Sequence, residues 1–407
     1  MDKKTHRSQL EQYWGFKSDT FQDLPLQADS LDLFVGRESE LKKIMMTIRK
    51  TVIGVTGTNG VGKASFLRKI QQGAEEQGIR TIYFSPLVPE TSLFREFAKT
   101  LLLYALAGKI RLADFSGSEI KKHLHMFDCR VSIEESTEGG IDWKILVGKL
   151  SEKTSKQFEQ HTEDSAISLL VSIFRSNRDF CVIFVDDMET MKHTLADSDV
   201  YVRKMMYLAR FLQGQFLQDS TCFISSLDKE FYNAIQDESR RSSDTGALGF
   251  YFNDIVMLEN LSSPELRQLI LSRLRAAGSS RSLDRFITTD ALIALTLATG
   301  RHPRKVLRVL EAALIEGASR KAPLIDLTTI LAGINQQRLE YDGVDFRILQ
   351  YSLAKDGAIS TDKKLQKITG LRERQLRGRL SNLSLRQLLS VKEERVGKQR
   401  TKVYRLQ

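Results

Sequence analysis

One short stretch restricts the fold more than any other. Gly57-Thr58-Asn59-Gly60-Val61-Gly62-Lys63 follows an apolar run, Val52-Ile53-Gly54-Val55, and leads into a helical pattern from Phe66 to Gln72. It fits G-x-x-x-x-G-K. The glycines let the backbone wrap an anion, successive N–H groups and a helix N-terminus cradle phosphates, and Lys63 offers a charge to the β and γ groups. The motif usually continues with Ser or Thr to ligate Mg²⁺, whereas here Ala64 has no side-chain oxygen and Ser65 comes one residue late. Mg²⁺ is then left to water, to Ser65 in a shifted geometry or to weak binding, and slow hydrolysis stays open.

The chain around this loop alternates strand and helix patterns. Runs rich in β-branched and aromatic residues occupy 51–57, 81–86, 181–187, 221–227 and 254–258, with helical patterns between them. That order predicts an α/β fold with a mostly parallel sheet of about five strands and helices on both faces. The third run, Cys181-Val182-Ile183-Phe184-Val185-Asp186-Asp187, ends in two carboxylates. An acid at the C-terminal end of a parallel strand lies at the ligand edge, where Asp186 would hold the Mg²⁺ shell and Asp187 would orient the attacking water.

The expected organisation is an N-terminal arm (1–33) with aromatic anchors Tyr13, Trp14, Phe16 and Phe21, an α/β core (34–260), an all-helical lid (261–340) and a C-terminal module (341–407). Residues 110–160 inside the core read as a poorly assigned insertion. The lid opens at Ser263-Pro264-Glu265, because Ser caps helices well and Pro suits the first turn. The module reads as three helices and a hairpin, the layout of a winged helix-turn-helix.

Charge singles out that module. The chain carries 61 Lys+Arg against 51 Asp+Glu, and the segment 344–407 alone holds 16 against 6, so the whole excess of +10 lies there. A neutral body with a basic module points to nucleic acid, and duplex DNA is the expected partner. In the helix from Leu371, a step of 100° per residue turns Leu376, Leu380 and Leu383 inward and Arg374, Arg377 and Ser381 outward. Gly378 lies on the same outer face. Lys398, Arg400 and Lys402 fall on or beside the hairpin tip as a basic wing, and Lys363, Lys364 and Lys367 on the preceding helix.

Composition excludes other classes. With 41% hydrophobic and 28% charged residues and six prolines the chain is neither disordered nor fibrous. The lack of a signal segment and of a long apolar run predicts a cytoplasmic protein that does not enter a membrane. Cys129, Cys181 and Cys222 lack metal or disulfide spacing. His123 and His125 are spaced for one face of a strand and read as surface residues.

Taken together, Phe34-Val35-Gly36-Arg37-Glu38-Ser39-Glu40-Leu41, the phosphate loop, the Asp-Asp strand and Gly300-Arg301-His302-Pro303-Arg304 resemble the AAA+/STAND ATPases. The likeness is strongest to origin-recognition, archaeal Gly-Arg-Glu and transposition-associated members. The resemblance implies that Val35, Gly36 and Arg37 border adenine, that Ser225 or Ser226 takes a polar sensor position, that Arg304 contacts the γ-phosphate, and that Arg240 or Arg241 is a finger for a neighbouring subunit. It implies ATP and Mg²⁺ as cofactors and an ATP-dependent homo-oligomer. The expected function is ATP-controlled assembly on DNA, as in replication initiation, transposition or another mobile-element role. The alternatives are a STAND-like signalling switch or transcription regulator with slow hydrolysis, and a remodeller of a protein partner.

Overall fold

The computed structural model of the chain describes residues 12–16, 21, 25–48, 52–85, 93–126, 129–135, 141–147, 155–176, 180–186, 221–229, 232–233, 236–237, 252–396 and 399–406. The side chains of 28, 93, 125–164 and 395–400 are not among them. Cα packing divides the chain into two units: residues 37–59 with 63–258, and residues 1–36, 60–62 and 259–407.

The first unit is the α/β core. In chain order it contains α1 (Glu38–Thr47), β1 (Val52–Gly57), α2 (Lys63–Glu76), β2 (Arg80–Phe84), α3 (Leu93–Leu106), α4 (Gly117–Met126), β3 (Cys129–Glu135), β4 (Ile141–Val147), α5 (Ser155–Ser176), β5 (Cys181–Val185), β6 (Thr221–Leu227) and β7 (Asp254–Leu258). The main sheet has the order β2-β5-β6-β1-β7, and every neighbouring pair in it is parallel. Each residue of β5 and β6 is buried, which explains why these strands read as continuous apolar runs without alternation.

The two sheet faces differ. Ile82, Phe84, Ile183, Val185 and Phe223 pack with Phe97, Leu101, Leu170 and Phe174 of α3 and α5. Tyr83 and Phe184 point the other way, where Arg68 of α2 lies over the Tyr83 ring. The expected five parallel strands with helices on both faces are present.

Two readings of the insertion need correction. His123 and His125 fall on α4, a helix and not the strand their spacing suits. Ser116 starts that helix: its Oγ accepts from the Glu119 N–H at 3.3 Å while Glu119 Oε2 accepts from the Ser116 N–H at 2.7 Å. Beyond it, β3 and β4 pair antiparallel from Cys129↔Val147 to Glu135↔Ile141, a hairpin the sequence reading left unassigned.

The second unit is mainly helical. Aromatic residues of the arm anchor it: Trp14, Phe16 and Phe21 are buried around Phe286, and Trp14 Nε1 donates to the Leu314 carbonyl at 2.9 Å. Tyr13, in contrast, is exposed and reaches the Ala322 carbonyl only through its hydroxyl. Helices α6 (Ser263–Ala276), α7 (Thr289–Thr299), α8 (Pro303–Arg320) and α9 (Leu327–Gln336) follow. The N-cap of α6 is Ser262, one residue before the expected Ser263, in a capping box with Glu265.

Then come α10 (Gly343–Ala354), α11 (Lys363–Thr369), α12 (Glu373–Leu385) and the hairpin β8 (Leu389–Val396) and β9 (Gln399–Leu406), with Ala358 bridged to Tyr404. Asp342 and Asp362 cap α10 and α11 through their carboxylates. One continuous core runs from Leu266 and Ile293 through Ile348 and Leu349 to Leu376, Leu380 and Leu383. Helices α6 to α9 and the C-terminal helices therefore share their apolar interior.

Candidate functional site

The phosphate loop has the backbone its sequence requires. Gly60 and Gly62 adopt φ of +83° and +107°, a region L side chains rarely enter. At Gly60 space is also short, since a Cβ would lie 2.9 Å from the Arg304 side chain and from the His302 ring, whereas Gly62 faces open space and is demanded by its dihedral alone. Thr58 and Asn59 are exposed and Val61 is buried. Lys63 opens α2, is 8% exposed, and folds its Nζ back to donate to the Gly57 carbonyl at 3.2 Å. The first N–H groups of α2 have no acceptor within the helix, and with the loop amides and the lysine they suit a phosphate.

Parallel strands bring a second set of groups to the same edge of the sheet. Thr56 of β1 is level with Leu227 of β6, and Val185 of β5 with Ser225. Asp186 continues β5, its N–H donating to the Phe84 carbonyl at 2.8 Å, and it is 7% exposed. Tyr83 donates its hydroxyl to Asp186 Oδ2. The Tyr83 ring lies beneath the Arg68 guanidinium, 3.3 Å from its centroid, and beside Phe184 in a stacked pair with centroids 6.1 Å apart. Ser225 and Ser226 are both buried inside β6, and Ser225 Oγ donates to the Ser226 carbonyl at 3.3 Å. The buried carboxylate at the true end of that strand is Asp228, which the sequence reading passed over.

Among the described residues the donors for a divalent cation are incomplete. Ala64 supplies no oxygen, the carboxylate of Asp186 is engaged by a phenol, and among the described residues no group of three or more His, Cys, Asp or Glu side chains is placed to hold a metal. Asp187, Arg240, Arg241 and Lys398 lie outside the described residues, as does the side chain of Arg400.

Around the entrance to α1, Gly36 adopts φ +77° against Glu265, and Arg37 adopts φ +68° as the N-cap of α1 with its guanidinium 3.6 Å from Glu40. Val35 is half-buried. In the helical unit Arg304 sits in the first turn of α8, half-buried, behind the N-cap His302.

The face of α12 matches its helical wheel. Leu376, Leu380 and Leu383 are fully buried while Arg374, Arg377, Gly378 and Ser381 are exposed. Ion pairs separate the basic residues into two groups. Arg377 pairs with Glu373, Arg379 with Asp342 and Asp345, Arg386 with Asp345, and Arg405 with Glu394. Lys363, Lys364, Lys367, Arg374 and Lys402 are exposed and have no ion-pair partner among the described residues. Burial, then the neighbouring Asp342 charge, raises the Asp345 carboxyl above the usual range.

Comparison with known proteins adds a family. The model described as Novel STAND NTPase 1 matches residues 24–321. No curated protein matches the sequence. Solved structures similar to the chain include the Aeropyrum pernix ORC1 protein in complex with DNA, at 12% identity over 95% of this chain and 93% of that one, TM-score 0.43. The Aeropyrum pernix ORC2 protein in ADPNP-ADP complexes is 10% identical over 95% and 93%, TM-score 0.41. The Thermotoga maritima RuvB Holliday junction branch migration motor is 15% identical over 94% and 95%, TM-score 0.39.

Proposed function

The chain belongs to the novel STAND NTPase 1 family, and from that premise we propose that it is an ATP-binding protein whose nucleotide state controls its assembly on duplex DNA. The phosphate loop takes the triphosphate through its amides and Lys63, with Val35, Gly36 and Arg37 beside the base. Arg304 reads the γ-phosphate, Ser225 or Ser226 takes the polar sensor position, Asp187 orients the attacking water, and Arg240 or Arg241 reaches a neighbouring copy. Of the Mg²⁺ shell expected with ATP, Asp186 is the one carboxylate of the paired acids within the described residues.

The observation that carries the DNA half is where the charge lies. All of the +10 excess falls in 344–407, and there α12 turns Arg374 outward with no acidic partner among the described residues. We read α12 as the recognition helix of a winged helix and β8–β9, with Lys398, Arg400 and Lys402, as its wing on the phosphate backbone. Filter binding of duplex DNA over a salt series, with and without ATP, tests this. Salt-sensitive binding that changes with ATP is expected, and its absence in both states overturns the proposal.

A second reading is favoured by Ala64 alone: a signalling switch in which bound ATP marks a state and turnover is slow. Brisk ATP hydrolysis by the wild type, unchanged in Ala64→Thr, excludes it.

A further inference from the structure

We infer that Tyr83 is a latch on Asp186, and that through it the loop binds a nucleoside triphosphate without depending on a divalent cation. The inference rests on the nucleotide-binding reading above and concerns how that site treats metal.

Asp186 is fixed from two sides. Its main-chain N–H is tied to Phe84, and its carboxylate Oδ2 accepts the Tyr83 hydroxyl. A phenol donating to a carboxylate forms a charge-assisted hydrogen bond, stronger than a neutral one. The ring cannot easily swing away. Arg68, on the helix that follows the phosphate loop, covers it at 3.3 Å, and Phe184, level with it on the adjacent strand, stacks beside it. Residues two apart on a strand share a face, so Phe184 and Asp186 of one strand and Tyr83 of its neighbour meet on the side of the sheet that carries α2.

Magnesium demands near-octahedral oxygen ligands and gives up its water reluctantly. To take Oδ2 of Asp186 it must displace the phenol, which then loses its acceptor in a half-buried position, and at Oδ1 it meets a carboxylate whose charge the phenol already draws on. The loop hydroxyl that would repay this is missing, because Ala64 stands there. Each departure weakens the metal site, and both fall on the ligands that usually hold the ion. The phosphates are left to the loop amides, the α2 N-terminus and Lys63, none of which needs a metal.

The test is equilibrium binding of ATP to the full chain in Mg²⁺ and in excess EDTA, with Mn²⁺ retention on the ATP complex followed by electron paramagnetic resonance. The wild type is expected to bind equally within about threefold in the two buffers. Tyr83→Phe keeps the ring under Arg68 and loses only the hydroxyl; it is expected to bind about tenfold more tightly in Mg²⁺ than in EDTA and to retain Mn²⁺ that the wild type releases. Ala64→Thr, which restores the loop hydroxyl without touching the latch, is expected to gain part of the same preference. A wild type that already prefers Mg²⁺ by tenfold or more, or a Tyr83→Phe protein with the wild-type ratio, overturns the inference. No ATP binding by folded wild type in either buffer removes the nucleotide-binding reading itself, a separately recognisable result.

Discussion

Arg301 caps the C-terminus of α12 from 85 residues away, its Nη2 donating to the Arg386 carbonyl at 2.6 Å. Nη1 donates to the Gln387 carbonyl at 3.0 Å. The last carbonyls of a helix have no partner within it and carry its negative dipole end, so a buried guanidinium is well matched there. Arg301 is 8% exposed and holds φ +64°, strain that a bulky residue keeps only where its contacts fix it. Burial, and then the nearby Arg386 charge, lowers its pKa.

Arg301→Ala is therefore expected to destabilise the helical unit by about 2–4 kcal/mol, the range for leaving buried hydrogen-bonding groups unmatched. Arg301→Lys is expected to recover little, because an ammonium cannot reach two carbonyls in the fork geometry. Urea unfolding of the full chain measures both. Wild-type stability in either variant refutes the cap.

Gly62→Ala isolates backbone conformation from crowding, since nothing lies within 4 Å of the added carbon while φ is +107°. A cost of about 1–3 kcal/mol in loop geometry is expected. It should appear as weaker ATP binding with little change in overall unfolding. Gly60→Ala adds a clash with Arg304 and His302 at 2.9 Å and is expected to cost more.

How much of this was legible in the sequence depends on whether a feature is local. The phosphate loop was, because its glycines and lysine are contiguous and each has a separate physical reason. So was the inward row Leu376, Leu380, Leu383, because helical period alone sets it. Tyr83 as the partner of Asp186 was not, since 103 residues separate them and only the register of β2 against β5 brings them together. Arg301 drew notice as part of a motif, but its partner carbonyls carry no sequence signal at all. The β3–β4 hairpin shows alternation at Val131 and Ile133 and at Trp143 and Ile145, which a period-two count over 129–147 would have found. The capping residues Ser116 and Glu119 likewise marked α4 and argued against a strand at His123.

Arg374 and Arg377 are predicted to differ in DNA binding although both face outward on α12. Arg377 is already paired with Glu373, so contact with a phosphate must compete with that carboxylate, whereas Arg374 has no such partner among the described residues. Arg374→Ala is expected to weaken duplex binding by about 1–3 kcal/mol and Arg377→Ala by less. Glu373→Gln is expected to strengthen binding and steepen its salt dependence. Filter binding over a salt series decides, and equal losses for the two arginines contradict the distinction.

Tyr351 ties α10 to α11 and should make stability fall at high pH in a particular window. Its hydroxyl donates to Asp362 Oδ2 at 2.6 Å, while Asp362 Oδ1 accepts from the Lys364 and Leu365 N–H groups at the start of α11. Donation to that carboxylate, then burial and the Asp362 charge, push the Tyr351 hydroxyl up to about 12 from its ordinary value near 10. The folded chain thus holds this proton more tightly than the unfolded chain. The stability it contributes is complete below about pH 10 and disappears as pH rises toward 12. Tyr351→Phe lacks the proton and the bond, so it should be less stable than wild type at neutral pH. The gap between the two melting temperatures should stay constant up to about pH 10 and close by about pH 12. A gap that persists unchanged through that window means that the Tyr351–Asp362 bond does not stabilise the helical unit.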